Sequence, residues 1–191
     1  MNFLFFLNAI LLGVGLAMDA FSVSLANGLN EPHMKKSKSA MIAGTFALFQ
    51  IAMPLIGWLC VHTLVEKFQQ FEKFIPWIAL ILLLYIGGKM LIEGIKNEEG
   101  DEKPALSFTD LFIQGVATSI DALSVGFTIA ELNFPLAFIE SLIIGIVTFG
   151  ICIAGLSIGK KFGTKLANKA AILGGVILIG IGIEIFLKGI L

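Results

Sequence analysis

A chain of 191 residues that is 57% hydrophobic and only 14% Asp, Glu, Lys or Arg has too little polar surface to cover a water-soluble globule, in which about a quarter of the residues are charged. Its net charge of −1 excludes the basic footprint of a nucleic-acid binder. All 13 basic residues are lysine, so the chain lacks the bidentate fork that arginine offers to phosphate and carboxylate substrates.

Six apolar segments follow in order, at about 3–27, 40–61, 75–95, 108–130, 136–158 and 171–190. Each is near the roughly 20 residues that cross a bilayer as a helix. The first does not read as a signal peptide, because no Lys or Arg precedes it and its apolar run is too long. A short basic link, Asn30 to Ser39, leads to segment two, which carries Gln50 and Pro54 before Gly57-Trp58. Pro54 lacks a backbone donor and is expected to kink the helix. Trp58 lies near the segment end, where an indole suits the lipid interface. Between residues 62 and 74, Val65, Phe68, Phe71 and Phe74 recur near helical spacing, which predicts a short interfacial helix. Pro76 suits the first turn of segment three.

Segment three ends in Gly87-Gly88-Lys89 and Glu93, and a polar linker at 96–104 separates it from the second half. Segment four holds Gln114, Thr118, Ser119, Asp121, Ser124 and Thr128; Glu131 and Pro135 then mark a tight turn. In segment five Gly155, Gly159 and Gly163 repeat every four residues, the spacing that lets membrane helices approach closely. Segment six holds Gly174-Gly175, Gly180, Gly182 and Glu184, with Lys188 one turn beyond the acid. Cys60 and Cys152 form no CxxC, and His33 and His62 fall near segment ends, so disulfide, thiolate-metal and haem readings find no support.

Two of these segments share a motif. Asp19-Ala20-Phe21-Ser22-Val23 recurs as Asp121-Ala122-Leu123-Ser124-Val125, Gly13-Val14 as Gly115-Val116, and Thr45-Phe46 as Thr148-Phe149. Segments three and six match more loosely, Gly87 with Gly180. Three crossings per half is an odd number, so the second half enters the membrane from the opposite side. The expected fold is an all-α integral membrane protein whose six transmembrane helices form two inverted three-helix repeats, a transporter architecture. It is one transmembrane domain, with repeat one at about 1–95, a linker at 96–106 and repeat two at 107–191. Lys35, Lys36, Lys38, Lys96, Lys103, Lys160, Lys161, Lys165 and Lys169 fall on one side, against Lys67, Lys73 and Lys188 on the other. The positive-inside rule makes the first side cytoplasmic and both termini external.

An ionisable side chain within a hydrophobic segment signals function, and here two stand in matching places. Asp19 and Asp121 are expected to face each other near the bilayer midplane and to hold a divalent cation between them, whose charge offsets their repulsion. Ser22 and Ser124 at i+3, and Thr118 at i−3, share their faces. Gln50, Thr45 and Thr148 are further candidate donors, with Glu93 and Glu184 behind them. A ligand set of oxygens without buried histidine suits Mn²⁺ or Mg²⁺. Each hydroxyl has a plainer use, donation to the carbonyl four residues back. No resident cofactor is expected, and no Walker motif is present, so the chain does not itself hydrolyse ATP.

These residues resemble the MntP-type manganese efflux pump family, bacterial inner-membrane proteins of six helices. The matching pieces are Met18-Asp19-Ala20-Phe21, Ala117-Thr118-Ser119-Ile120-Asp121-Ala122, Pro54-Leu55-Ile56-Gly57-Trp58, Gly87-Gly88-Lys89-Met90, Glu93-Gly94 and Leu173-Gly174-Gly175. The resemblance implies Mn²⁺ export from the cytoplasm, with Asp19 and Asp121 as the key acids, and a multi-pass protein of the inner membrane. Where some relatives carry an acid in the second helix, this chain has Gln50. Two rivals stand beside this reading: an exporter of another small cation or an amino acid, and an intramembrane aspartyl protease whose two acids share a proton. Neither aspartate sits in a Gly-x-Gly-Asp sequence, which counts against the protease.

Overall fold

The computed structural model describes residues 3–72, 75–96, 106–166 and 170–190, and the regular structure within them is helical. The helices are α1 (Phe3–Asn30), α2 (Lys36–Glu72), α3 (Ile75–Lys96), α4 (Phe108–Ala117), α5 (Ile120–Thr128), α6 (Phe134–Leu166) and α7 (Ala170–Ile190). Among the described residues, α1, the Lys36–His62 part of α2 and the Phe134–Gly163 part of α6 are long and apolar enough to cross a membrane. A shorter apolar stretch, Ile172–Ile181, lies in α7.

The distribution of side chains is the reverse of a water-soluble bundle. Leu4, Leu48, Trp77, Phe112 and Ile146 are exposed, whereas Asn27, Gln50, Gln114, Thr118 and Thr148 are buried. A surface of large apolar side chains is stable against hydrocarbon, and the polar groups turn inward to find one another. The chain is an all-α membrane protein.

The main packing partners are α1 with α6, α2 with α5 and α4, α3 with α7, α2 with α6, α1 with α7, and α3 with α4. Exchanging α1 with α4–α5, α2 with α6, and α3 with α7 carries these main pairs onto one another, while the weaker α1–α2 and α6–α7 pairs fall outside the correspondence. Glycine makes the closest crossings. A Cβ on Gly159 would lie 2.9 Å from the Gly28 Cα and one on Gly126 would lie 2.6 Å from the Gly57 Cα, so backbone meets backbone there. Gly87 and Gly175 meet in the same way between α3 and α7. The four-residue glycine stripe of α6 faces α1: Gly155 meets the Phe21 carbonyl, Gly159 that of Leu25 and Gly163 that of Leu29.

Two local features differ from the sequence expectation. The stretch after His62 is not a separate interfacial helix, because α2 continues to Glu72. The same helix carries Pro54 within it, at the position where a kink is expected. The apolar segment at 108–130 is not one helix: it breaks at Thr118-Ser119 into α4 and α5. Local hydrogen bonds accompany the break. The Ser119 hydroxyl donates to the Gly115 carbonyl at 2.7 Å, and the Ser119 N–H donates to Val116 instead. The Thr118 hydroxyl donates to Gln114 at 2.8 Å. Adjacent hydroxyls that take the carbonyls of the previous turn compete with the helix ladder. Most of the polar linker, residues 97–105, lies outside the described residues.

Candidate metal centre between the two aspartate motifs

Among the side chains that join the two halves is Gln50, fully buried on α2. Its amide nitrogen donates to the Leu16 carbonyl at 3.3 Å and to the Thr118 carbonyl at 2.9 Å. Leu16 stands three residues before Asp19 and Thr118 three residues before Asp121. One amide therefore clamps equivalent carbonyls of the two repeated motifs. Two carbonyl acceptors fix which end of the amide is nitrogen. The Gln50 Oε1 is then left buried and without a hydrogen-bond partner among the described residues. A buried acceptor in that condition is costly to keep, and a cation is one group that satisfies it.

Around this clamp the structure distributes the candidate donors unevenly. Asp19 and Ser22 are half-buried on α1; Asp121 and Ser124 lie on exposed positions of α5. Asp121 Oδ1 accepts the Ala122 N–H at 2.8 Å, in the first turn of α5. The dipole of a helix N-terminus favours a negative charge there. Thr118, by contrast, caps the C-terminus of α4, where carbonyl dipoles favour a cation. The break thus sets carbonyl oxygens and a carboxylate next to each other within four residues.

The plainer use of the hydroxyls holds for several of them. Ser22 donates to Met18, Thr45 to Met41, Thr148 to Ile144 and Thr118 to Gln114, each four residues back and at 2.8–3.0 Å. Those bonds spend the hydrogen and leave the oxygen lone pairs unused, so the hydroxyls remain acceptors for a cation. Among the described residues no three His, Cys, Asp or Glu side chains gather as a metal cluster. A metal here would be held by a mixed set of carboxylate, amide, hydroxyl and carbonyl oxygens. The side chains of Glu93 in α3 and Glu184 in α7 fall outside the described residues.

Two features of the interior were not singled out from sequence. Asn27 and Gln114 exchange amide hydrogen bonds at 2.8 and 3.2 Å, both buried, and tie α1 to α4. Asn27 reads from sequence as a helix-terminus residue, and nothing local announces its partner 87 positions away. Glu140 is 5% exposed on α6. It is the one acid within segment five, and an acid in an apolar segment is itself a signal of function.

Comparison with known proteins identifies the family. Residues 33–186 match the family model described as "Putative manganese efflux pump". A protein of Ruminiclostridium cellulolyticum named "Putative manganese efflux pump MntP" is 42% identical over 181 residues, covering 94% of each chain. Proteins of the same name from Rippkaea orientalis and Methanosphaera stadtmanae are each 43% identical, covering 97% and 95% of this chain and 97% and 98% of their own. No solved structure matches the chain. On both counts, the chain is a member of the manganese efflux pump family, and it is a multi-pass membrane transporter rather than an enzyme.

Proposed function

We propose that the chain exports Mn²⁺ from the cytoplasm as a secondary transporter built of two inverted three-helix repeats, with six spans and both termini external. The repeats are residues 1–95 and 107–191, joined by the polar linker. In this reading Asp19 and Asp121 bind the ion together near the bilayer centre. Gln50 Oε1 completes the set with Ser22, Ser124 and Thr118, and Thr45 and Thr148 stand behind them. Divalent cargo supplies the positive charge that two carboxylates at one site require. Oxygen donors without histidine suit Mn²⁺, and the relatives' printed names favour manganese over an amino acid or a peptidase reaction.

The observation that carries the proposal is the Gln50 clamp. It draws together the turns preceding both aspartates and leaves the oxygen of the same amide without a partner among the described residues. The exchange symmetry of the helix pairs supports the inverted repeat. The discontinuity at Thr118-Ser119 is the kind of broken helix that transporters place at an ion site. The test is Mn²⁺ flux into proteoliposomes that enclose a manganese-quenched dye, with proton, sodium and electrical gradients imposed in turn. Protein-dependent uptake of Mn²⁺ under at least one gradient is expected. Quenching no faster than in empty liposomes under all three would refute export.

A further inference from the structure

An open cavity of about 760 Å³ lies between the N-terminal half of α1, the end of α5 and the start of α6. Its walls include Asn8 and Gly15 of α1, Glu131 of the α5–α6 turn and Glu140 of α6, and it reaches Leu16. Leu16 is the residue whose carbonyl holds Gln50. From Phe5 to Leu16 the cavity follows α1 for roughly 16 Å at the helical rise per residue. It therefore extends from the N-terminal end of α1 to the turn before Asp19.

Glu140 is the informative wall. Glu140 is only 5% exposed, yet it lines the cavity. Among the described residues it has neither an ion pair nor a hydrogen bond, and no lysine lines the cavity beside it. At the offset of 103 that pairs Thr45-Phe46 with Thr148-Phe149, its counterpart in α2 is Ser37, so the acid belongs to the second half alone. A buried carboxylate with no protein partner is expensive to retain for packing alone.

We propose that this cavity is a second cation site, an outer vestibule in which Glu140, assisted by Glu131 and Asn8, holds a hydrated divalent metal ion. The space suffices: six waters occupy about 180 Å³ at their share of liquid volume, well within the cavity. The donors are oxygens, which suits a hard divalent ion that keeps part of its water shell. The vestibule would receive the ion after it leaves Asp19. That link to export rests on the function proposed above, whereas the binding itself does not.

The experiment is a Mn²⁺ titration of purified full-length protein followed by electron paramagnetic resonance of the free ion. It uses wild type, Glu140→Gln, Glu140→Asp and the double variant Asp19→Asn/Asp121→Asn, the last with and without Glu140→Gln. Wild type is expected to show two classes of bound Mn²⁺. Glu140→Gln should weaken one class by on the order of tenfold or more, the loss of one charged ligand, and Glu140→Asp should restore part of it. The same class should persist in the double aspartate variant and vanish when Glu140→Gln is added. Identical binding with and without Glu140→Gln in both backgrounds would overturn the vestibule. Loss of the Glu140-dependent class alone, with export unaffected by the aspartate changes, would uphold the vestibule and refute the central site.

Discussion

Substituting Gly126 by alanine tests the packing that holds α5 against α2 beside the proposed site. The added Cβ would stand 2.4 Å from the Pro54 carbonyl oxygen, 2.6 Å from the Gly57 Cα and 2.7 Å from the Trp58 nitrogen. All three are backbone atoms, so no side chain can swing away. Ordinary contact begins near 3.4 Å, and the helices must therefore separate by about 1 Å. Overpacking of this kind costs about 1–3 kcal/mol, which for a chain of this size lowers the melting temperature by roughly 5 °C. Gly150 is the internal control, since nothing lies within 4 Å of a Cβ placed there. Gly150→Ala should be neutral or raise stability by about 0.4–1 kcal/mol through helix propensity. The assay is thermal unfolding of both purified variants in one detergent. Equal melting temperatures for Gly126→Ala and Gly150→Ala would refute the claim that these backbones touch.

Two further outcomes are expected. Gln50→Leu removes both amide hydrogen bonds that join the motifs, so unfolding stability should fall by about 1–3 kcal/mol, and Mn²⁺ binding should weaken with it; a variant as stable as wild type would show that the clamp carries no weight. The lysine asymmetry predicts a cytoplasmic linker, so Gly100→Cys in a Cys60→Ser/Cys152→Ser background should resist an impermeant maleimide in intact cells and react after lysis, and labelling from outside would reverse the topology.

The helices were legible because long apolar runs leave few alternatives in a chain this poor in charge. The glycine stripe of α6 was legible too, since a four-residue spacing of Gly155, Gly159 and Gly163 marks a face made for close approach, and α1 fills it. The paired aspartates announced themselves as acids in matching apolar surroundings. The break at Thr118-Ser119 was not legible: its hydroxyls donate to their own helix, as many mid-helix hydroxyls do without a break. The Gln50 clamp links positions 34 and 68 residues apart, and only the packed structure reveals it. Glu140 was legible in principle, as the lone acid of its segment, but it has no counterpart acid in the other half to draw attention to it.

The central claim is that one ion is shared by the two repeated motifs. It is tested most directly by Mn²⁺ calorimetry on purified wild type, Asp19→Asn and Asp121→Asn, paired with export from manganese-loaded cells. Asn keeps the size of the side chain and removes one charge and one strong ligand. Each single change should abolish the tight binding and the export, while melting temperature without metal holds or rises, because like charges in the empty site repel. Unchanged binding and export in both variants would contradict the account, and loss in only one would refute the shared site.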